Sequence, residues 1–383
     1  MILRFPYGKS DLLLDVLEDR MLSVLEPKGV LPASDGAEAV TKALSRPICS
    51  ESLTNIASKR RRICVLVSDY TRATPNRVLI PPVLEQLQGV DRGLDGVRVL
   101  VANGLHKPAT KPELEEFLGE DVMEQCEVLN HDAEDETQIK HVGRTSFGTE
   151  VSVNKVVAES DLTIMTGLIE PHFFAGYSGG RKSILPGVAG KQSIYQNHSY
   201  KMIGHHLSRC GVLDGNPVHE DMLEAAEIAV KGRSYLVNVM IDKAGRLVKT
   251  FAGDMVEAHR LGVEFLNQFV KVEAPRRTGI VLTSNGGFPL DRDLYQAVKG
   301  MATGRDLVKK DGAIVVFSEC LDGVGRGHEF FQRLLAEARS PEEALDKIRR
   351  EEPIKDQWEA QIMAQILVWA RVILVSKHKG FHS

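Results

Sequence analysis

The feature that most constrains how this chain can fold is a recurring pattern: short, uninterrupted runs of β-branched and aliphatic residues, each closing on a polar cluster. The runs are RICVLVSDYTR (62–72), VRVLVANGLH (97–106), DLTIMTGLIEPH (161–172), TGIVLTSNGG (278–287) and AIVVFSE (313–319). A strand with one wet face alternates apolar and polar residues. A run that is apolar throughout is buried on both faces, as in a parallel sheet covered by helices.

Helix signals separate these runs. TKPELEEFLG (110–119) sets Thr110 and Glu113 at capping-box spacing, with Pro112 in the first turn and Gly119 at the end. NPVHEDMLEAAEIAVKG (216–232) opens on Asn-Pro and closes on Gly232. SYLVNVMIDKAGRLVKTFAGD (234–254) alternates about DKAGR and predicts a β-hairpin. The charged, Pro-containing link VKVEAPRRTG (270–279) marks a boundary. The expected architecture is α/β in two domains, each a largely parallel sheet flanked by helices, with the active site in the interdomain cleft. Residues 1–269 form the cofactor-binding catalytic domain and 275–383 a smaller α/β domain that closes over the site.

Composition narrows the function classes. With 43% hydrophobic and 26% charged residues and a net charge of −4, the chain has no basic field to attract nucleic acid or a lipid surface. Its apolar runs are strand-sized, far below the ~20 residues of a spanning helix. The N-terminus MILRFPYGKSD lacks the apolar core of a signal peptide, so the expected location is the cytoplasm. The five cysteines, odd in number and never in C-x-x-C spacing, read as reduced thiols.

In open α/β sheets ligands sit outside the carboxyl ends of the strands. There the first run ends in Asp69 and Arg72, the second in Asn103 and His106, the third in Glu170 and His172. The segment 166–199 is rich in glycine and carries Lys182, Lys191 and His198. Within it GYSGGRKS (176–183) nearly spells the phosphate loop G-x-x-x-x-G-K-[ST], but Arg181 stands where the second glycine belongs. The glycines Gly179 and Gly180, with Arg181, suit an anion, and a nucleotide-dependent kinase or transferase is the alternative reading. None of His172, His198, His205 and His206 stands at the i, i+4 spacing of a zinc protease; His205 and His206 read as surface residues, and His131, His141, His219, His259 and His328 as structural.

Several separated motifs together, DYTRATP (69–75), NGLH (103–106), EPHFFAGYSGGRKSILPG (170–187), NH (197–198) and DLYQAVKG (293–300), resemble the nickel-pincer-cofactor lactate racemase family. The resemblance spans most of the chain. It implies a racemase or epimerase of 2-hydroxy acids that moves the Cα hydrogen as hydride through a 2-keto acid. It further implies a nickel-pincer mononucleotide tethered to Lys182, with His198 as the protein ligand of nickel, and loading by cofactor-biosynthesis enzymes. By the same resemblance His106 and His172 are the acid/base pair, one for each enantiomer. Arg72, Gln296 and Lys299 hold the substrate carboxylate, Asp69 orients Arg72 or a histidine, and Tyr295 and Trp358 form pocket walls. Members of the family continue beyond VSKHKGFHS, so the chain reads as a short or C-terminally truncated member.

Overall fold

A computed structural model describes residues 1–91 and 93–381, the side chain of Phe381 excepted. The chain divides into two compact units.

The larger unit comprises residues 27–197 and 211–271. Its sheet runs, edge to edge, Leu247–Gly253, Ser234–Ile241, Leu162–Leu168, Ile63–Ser68, Val97–Ala102 and Glu127–Asn130. All neighbours are parallel except the first pair, the hairpin expected about DKAGR. Val65 lies opposite both Val99 and Ile164, and all three are fully buried. These positions join Leu79, Leu84 and Leu87 of the helix Asn76–Gln88 in one core. Each buried aliphatic side chain contributes about 1.5–3 kcal/mol, so burial on both faces explains why the runs tolerate no polar interruption. The helix Lys111–Leu118 begins at the expected box, where the Thr110 N–H donates to Glu113 Oε2 at 2.7 Å.

A buried polar knot pins the segment that ends in Asn197. The carboxylate of Asp221, on the helix Pro217–Val230, accepts from Thr145 Oγ1 (2.6 Å), Thr149 Oγ1 (2.8 Å) and Asn197 Nδ2 (2.7 Å). Three donors to one water-free carboxylate leave little of it unsatisfied, which makes the knot a rigid joint immediately before His198.

The second unit comprises residues 1–26, 198–210 and 272 onward. Its sheet is parallel, with Val308–Phe317 between Thr278–Ser284 and Arg371–Val375. Helices Leu294–Leu307 and Gln357–Trp369 pack on each other. These units are composed differently from the expected domains 1–269 and 275–383: residues 1–26 and 198–210 belong with the unit that continues from Val272. The cause is packing: Phe5 of the hairpin Ile2–Tyr7/Ser10–Asp15 lies 4.5 Å from Phe317 between ring centres. The Gly8 N–H also donates to Asp291 Oδ2 at 2.6 Å. No helix among the described residues is long and apolar enough to cross a membrane.

Replacing Asp221 by Ala leaves three buried donors unpaired at once. We expect Asp221→Ala to lose about 3 kcal/mol or more of stability in urea unfolding. A midpoint within error of the parent would show that the knot carries no such weight.

Candidate functional site

Parallel strands Ile63–Ser68, Val97–Ala102 and Leu162–Leu168 bring their carboxyl ends to one edge of the sheet. Asp69 follows the first of them and is 3% exposed. The His106 ring, whose side chain is 43% exposed, donates Nδ1–H to Asp69 Oδ2 at 2.6 Å. Thr71 Oγ1 donates to the other carboxylate oxygen at 2.8 Å. Burial works to raise the Asp69 pKa, but the His106 bond, the charges of His106 and Arg72 and the Thr71 bond outweigh it, so the carboxyl lies below its ordinary value. Asp69 is therefore an anion that faces His106, and it holds that ring with Nε2 turned away. Arg72 is exposed nearby. Asn103 is structural: its Nδ2 donates to Asn130 Oδ1 and His131 O.

The loop that carries His106 is joined to the glycine segment, because the Gly104 N–H donates to Gly187 O at 2.9 Å. Within that segment Gly180–Ser183 is a single 3₁₀ turn. Arg181 is 1% exposed and turned inward, with Nη2 donating to Ala175 O and Tyr177 O (2.8 Å each) and Nη1 to Gly179 O (3.3 Å). His259 donates Nε2–H to Ser178 O at 2.8 Å; burial, then the charge of Arg181, lowers its pKa to about 3 and keeps it neutral.

These contacts correct the reading of the loop as an anion cradle. Arg181 braces the loop from inside and faces no ligand. The amides of Ser178, Gly180 and Lys182 donate to Glu170 O, Asn238 Oδ1 and Gly179 O. Gly179 and Gly180, with φ of +76° and +56°, serve close packing: a Cβ on Gly179 would lie 2.5 Å from Asn238 Oδ1. The geometry also weighs against a triphosphate loop, whose amides must point at phosphate.

Lys182 points differently from Arg181. Its Nζ lies over the Phe174 ring, 5.7 Å from the centre, and the His172 ring meets the same Phe174 edge-on at 4.5 Å. His172 accepts the Ala175 N–H at Nδ1 (3.3 Å), so the two candidate imidazoles use their Nδ1 atoms in opposite senses. Nearby His219 is pushed down to about 2 by burial, then by the charges of Arg181, His259 and Lys182. The surroundings of Lys182 thus repel added positive charge.

In the second unit His198 is 4% exposed and meets Trp358 edge-on at 5.1 Å. On Leu294–Leu307, Lys299 Nζ donates to Gln296 Oε1 at 2.6 Å, one helical turn away. Tyr295 is buried and stacks flat on His328, 3.6 Å between ring centres and 6° between planes. His328 Nδ1 donates to the buried Asp356 at 3.0 Å. Three residues here escaped the sequence reading: His328, set aside as structural, Asp356 and Glu359.

Among the described residues no group of three His, Cys, Asp or Glu could hold a metal by itself. The residues present fit a tethered, metal-bearing cofactor in chemical type: a lysine amine for the tether and a buried imidazole as a nickel donor.

Models of the "lactate racemase N-terminal domain" and "lactate racemase C-terminal domain" match residues 7–211 and 272–380. The chain is 38% identical to a lactate racemase of Thermoanaerobacterium thermosaccharolyticum over 99% of its own length and 89% of that protein's. It is 40% identical to a lactate racemase of Lactiplantibacillus plantarum over 88% and 79%. The solved structure of the lactate racemase apoprotein from T. thermosaccharolyticum superposes with a TM-score of 0.94, covering 99% of this chain and 89% of that one at 38% identity. A crystal structure of a protein from Thermotoga maritima shares the fold at 18% identity, with a TM-score of 0.67 and coverage of 91% and 90%.

A Cβ at position 179 forces Asn238 off the Gly180 amide and puts an L-residue at positive φ. We expect Gly179→Ala to lower stability by about 2 kcal/mol or more and to open the segment 176–187 to protease. Parent-like cleavage and unfolding would remove the packing role assigned to this glycine.

Proposed function

The chain belongs to the lactate racemase family, and from that premise we propose that it is an isomerase interconverting the enantiomers of a small 2-hydroxy acid of the lactate class. The observation that carries the reading is the half-exposed His106 ring held at 2.6 Å by the buried, ionised Asp69. A carboxylate behind an imidazole fixes its tautomer and supports the imidazolium that forms when Nε2 takes a proton. His106 accepts the hydroxyl proton of one enantiomer, and His172 serves the other hand.

In this reading Lys182 holds a nickel-pincer nucleotide covalently through Nζ, His198 completes the nickel coordination, and cofactor-building enzymes load the protein. When bound, that group supplies an acceptor for the Cα hydrogen with its electron pair, leaving a planar 2-keto acid that can be reduced again from either face. Arg72 and Lys299 grip the substrate carboxylate; Gln296 steadies Lys299, and Tyr295 and Trp358 shape the wall around it. Asp69 positions His106 and touches no substrate. The nucleotide-dependent transferase is disfavoured because the loop amides and Arg181 face inward.

The test is racemisation of lactate by protein produced together with the cofactor-building enzymes, followed by chiral chromatography and intact-protein mass. We expect Lys182→Ala to lose a covalent adduct seen in the parent; an unchanged adduct mass would refute the tether. His106→Ala and His172→Ala should each lower racemisation at least about 10²-fold in both directions. Parent-like rates in either would remove that histidine from the pair, and tight ATP binding without any adduct would overturn the family mechanism for this chain.

A further inference from the structure

Glu359 follows Trp358 on the helix Gln357–Trp369 and is 1% exposed. Its Oε1 is buried with no hydrogen-bond partner among the described residues. That helix packs on Leu294–Leu307, whose Lys299 acts directly on the Glu359 charge. A carboxyl removed from water without donors resists ionisation unless a cation compensates it. The cation that acts on it among the described residues is Lys299, proposed above to hold a different anion.

The other groups facing Glu359 are acidic. Asp293 caps Leu294–Leu307, and Asp356 stands in the turn before Gln357, where it accepts from His328. Tyr295 also faces it; burial raises the phenol, and the charges of Glu359 and Asp356 raise it further. Burial lifts Glu359 to about 8, Lys299 opposes that rise, and Asp356 and Asp293 add to it.

We propose that Glu359 is a positioning residue for Lys299: it keeps its proton while Lys299 holds the substrate carboxylate, and only in alkaline solution without substrate does it ionise and take Lys299 for itself. The inference rests on the reading of Lys299 as a carboxylate anchor. With a neutral Glu359, the Lys299 ammonium and the substrate carboxylate form a balanced pair. With an ionised Glu359, one ammonium faces two carboxylates in a site poor in water. Binding then draws one proton from solvent onto Glu359. Below the pKa of Glu359 that proton is already present. Above it, every unit of pH weakens substrate binding about tenfold while leaving the bound complex unchanged.

The experiment uses cofactor-loaded protein with lactate, measuring KM and kcat separately from about pH 6 to about pH 9.5. For the parent, KM should rise about tenfold between pH 7 and pH 9 with no matching change in kcat. Glu359→Gln, which is isosteric and cannot ionise, should hold KM flat across that range with an unaltered melting temperature. A Glu359→Gln profile that still rises like the parent overturns the proposal. Lys299→Met separates the two readings. If it leaves the lactate KM unchanged, the carboxylate anchor is wrong. If it raises KM while Glu359→Gln behaves like the parent, only the role of Glu359 is wrong. Should Glu359→Gln fail to fold, infrared difference spectra of the parent at about pH 9 decide: lactate should add the carbonyl stretch of a protonated carboxyl, and no such band overturns the proposal.

Discussion

The candidate site of the larger unit depends on a buried guanidinium. Among the described residues Arg181 has no carboxylate partner; its charge is stabilised by carbonyls of its own loop, Ala175, Tyr177 and Gly179, arranged to match a planar fork. Such an arrangement requires the chain to wrap around the side chain, and it explains the glycines. Gly176, Gly179 and Gly180 all have positive φ, because a tight curve about a central cation needs backbone that most residues avoid. Once wrapped, the loop turns the adjacent Lys182 the other way, over Phe174 and toward the side of His172. One residue looks inward and holds shape, and its neighbour lays its ammonium over an aromatic ring.

This division explains what was legible in the sequence. The strands were, because burial on both faces writes itself as uninterrupted β-branched residues, and the capped helix and hairpin were, because their signals are local. Arg181 was misread for an equally physical reason. A cation among glycines next to a lysine looks the same in sequence whether it faces an anion or its own backbone, and only the path of the chain from 175 to 183 decides. The packing of residues 1–26 and 198–210 with the C-terminal segment was not legible, because their partners, Phe317 and Trp358, lie more than a hundred residues away. His328, Asp356 and Glu359 left no trace, since a charged residue on a helix reads as solvated until its neighbours are known.

The two candidate histidines are also less alike than the sequence suggests. Both follow strand ends of one parallel sheet, yet His106 gives its Nδ1 proton to an anion while His172 receives a proton contact from the Ala175 amide. A neutral ring that accepts at Nδ1 carries its proton on Nε2, whereas a ring that donates from Nδ1 leaves Nε2 free of its own. The two rings therefore present opposite tautomers to their surroundings, a difference set by the partner each loop supplies and invisible in the sequence.

Charge is apportioned with the same economy. In the larger unit an ionised acid, Asp69, is bonded to the His106 ring, and the charges of Arg181 and Lys182 both lower the pKa of His219. In the smaller unit the acids Asp293, Asp356 and Glu359 gather about one lysine, and two of them are held above their ordinary pKa, burial being the leading cause in each. If all three were ionised, Lys299 would be neutralised several times over and could attract no carboxylate. Keeping an acid protonated is what lets a single lysine in an acidic, buried setting remain a usable positive charge. The orphaned carboxyl oxygen of Glu359 is therefore consistent with the Lys299–Gln296 bond beside it: the lysine is oriented by a neutral amide so that its charge stays available.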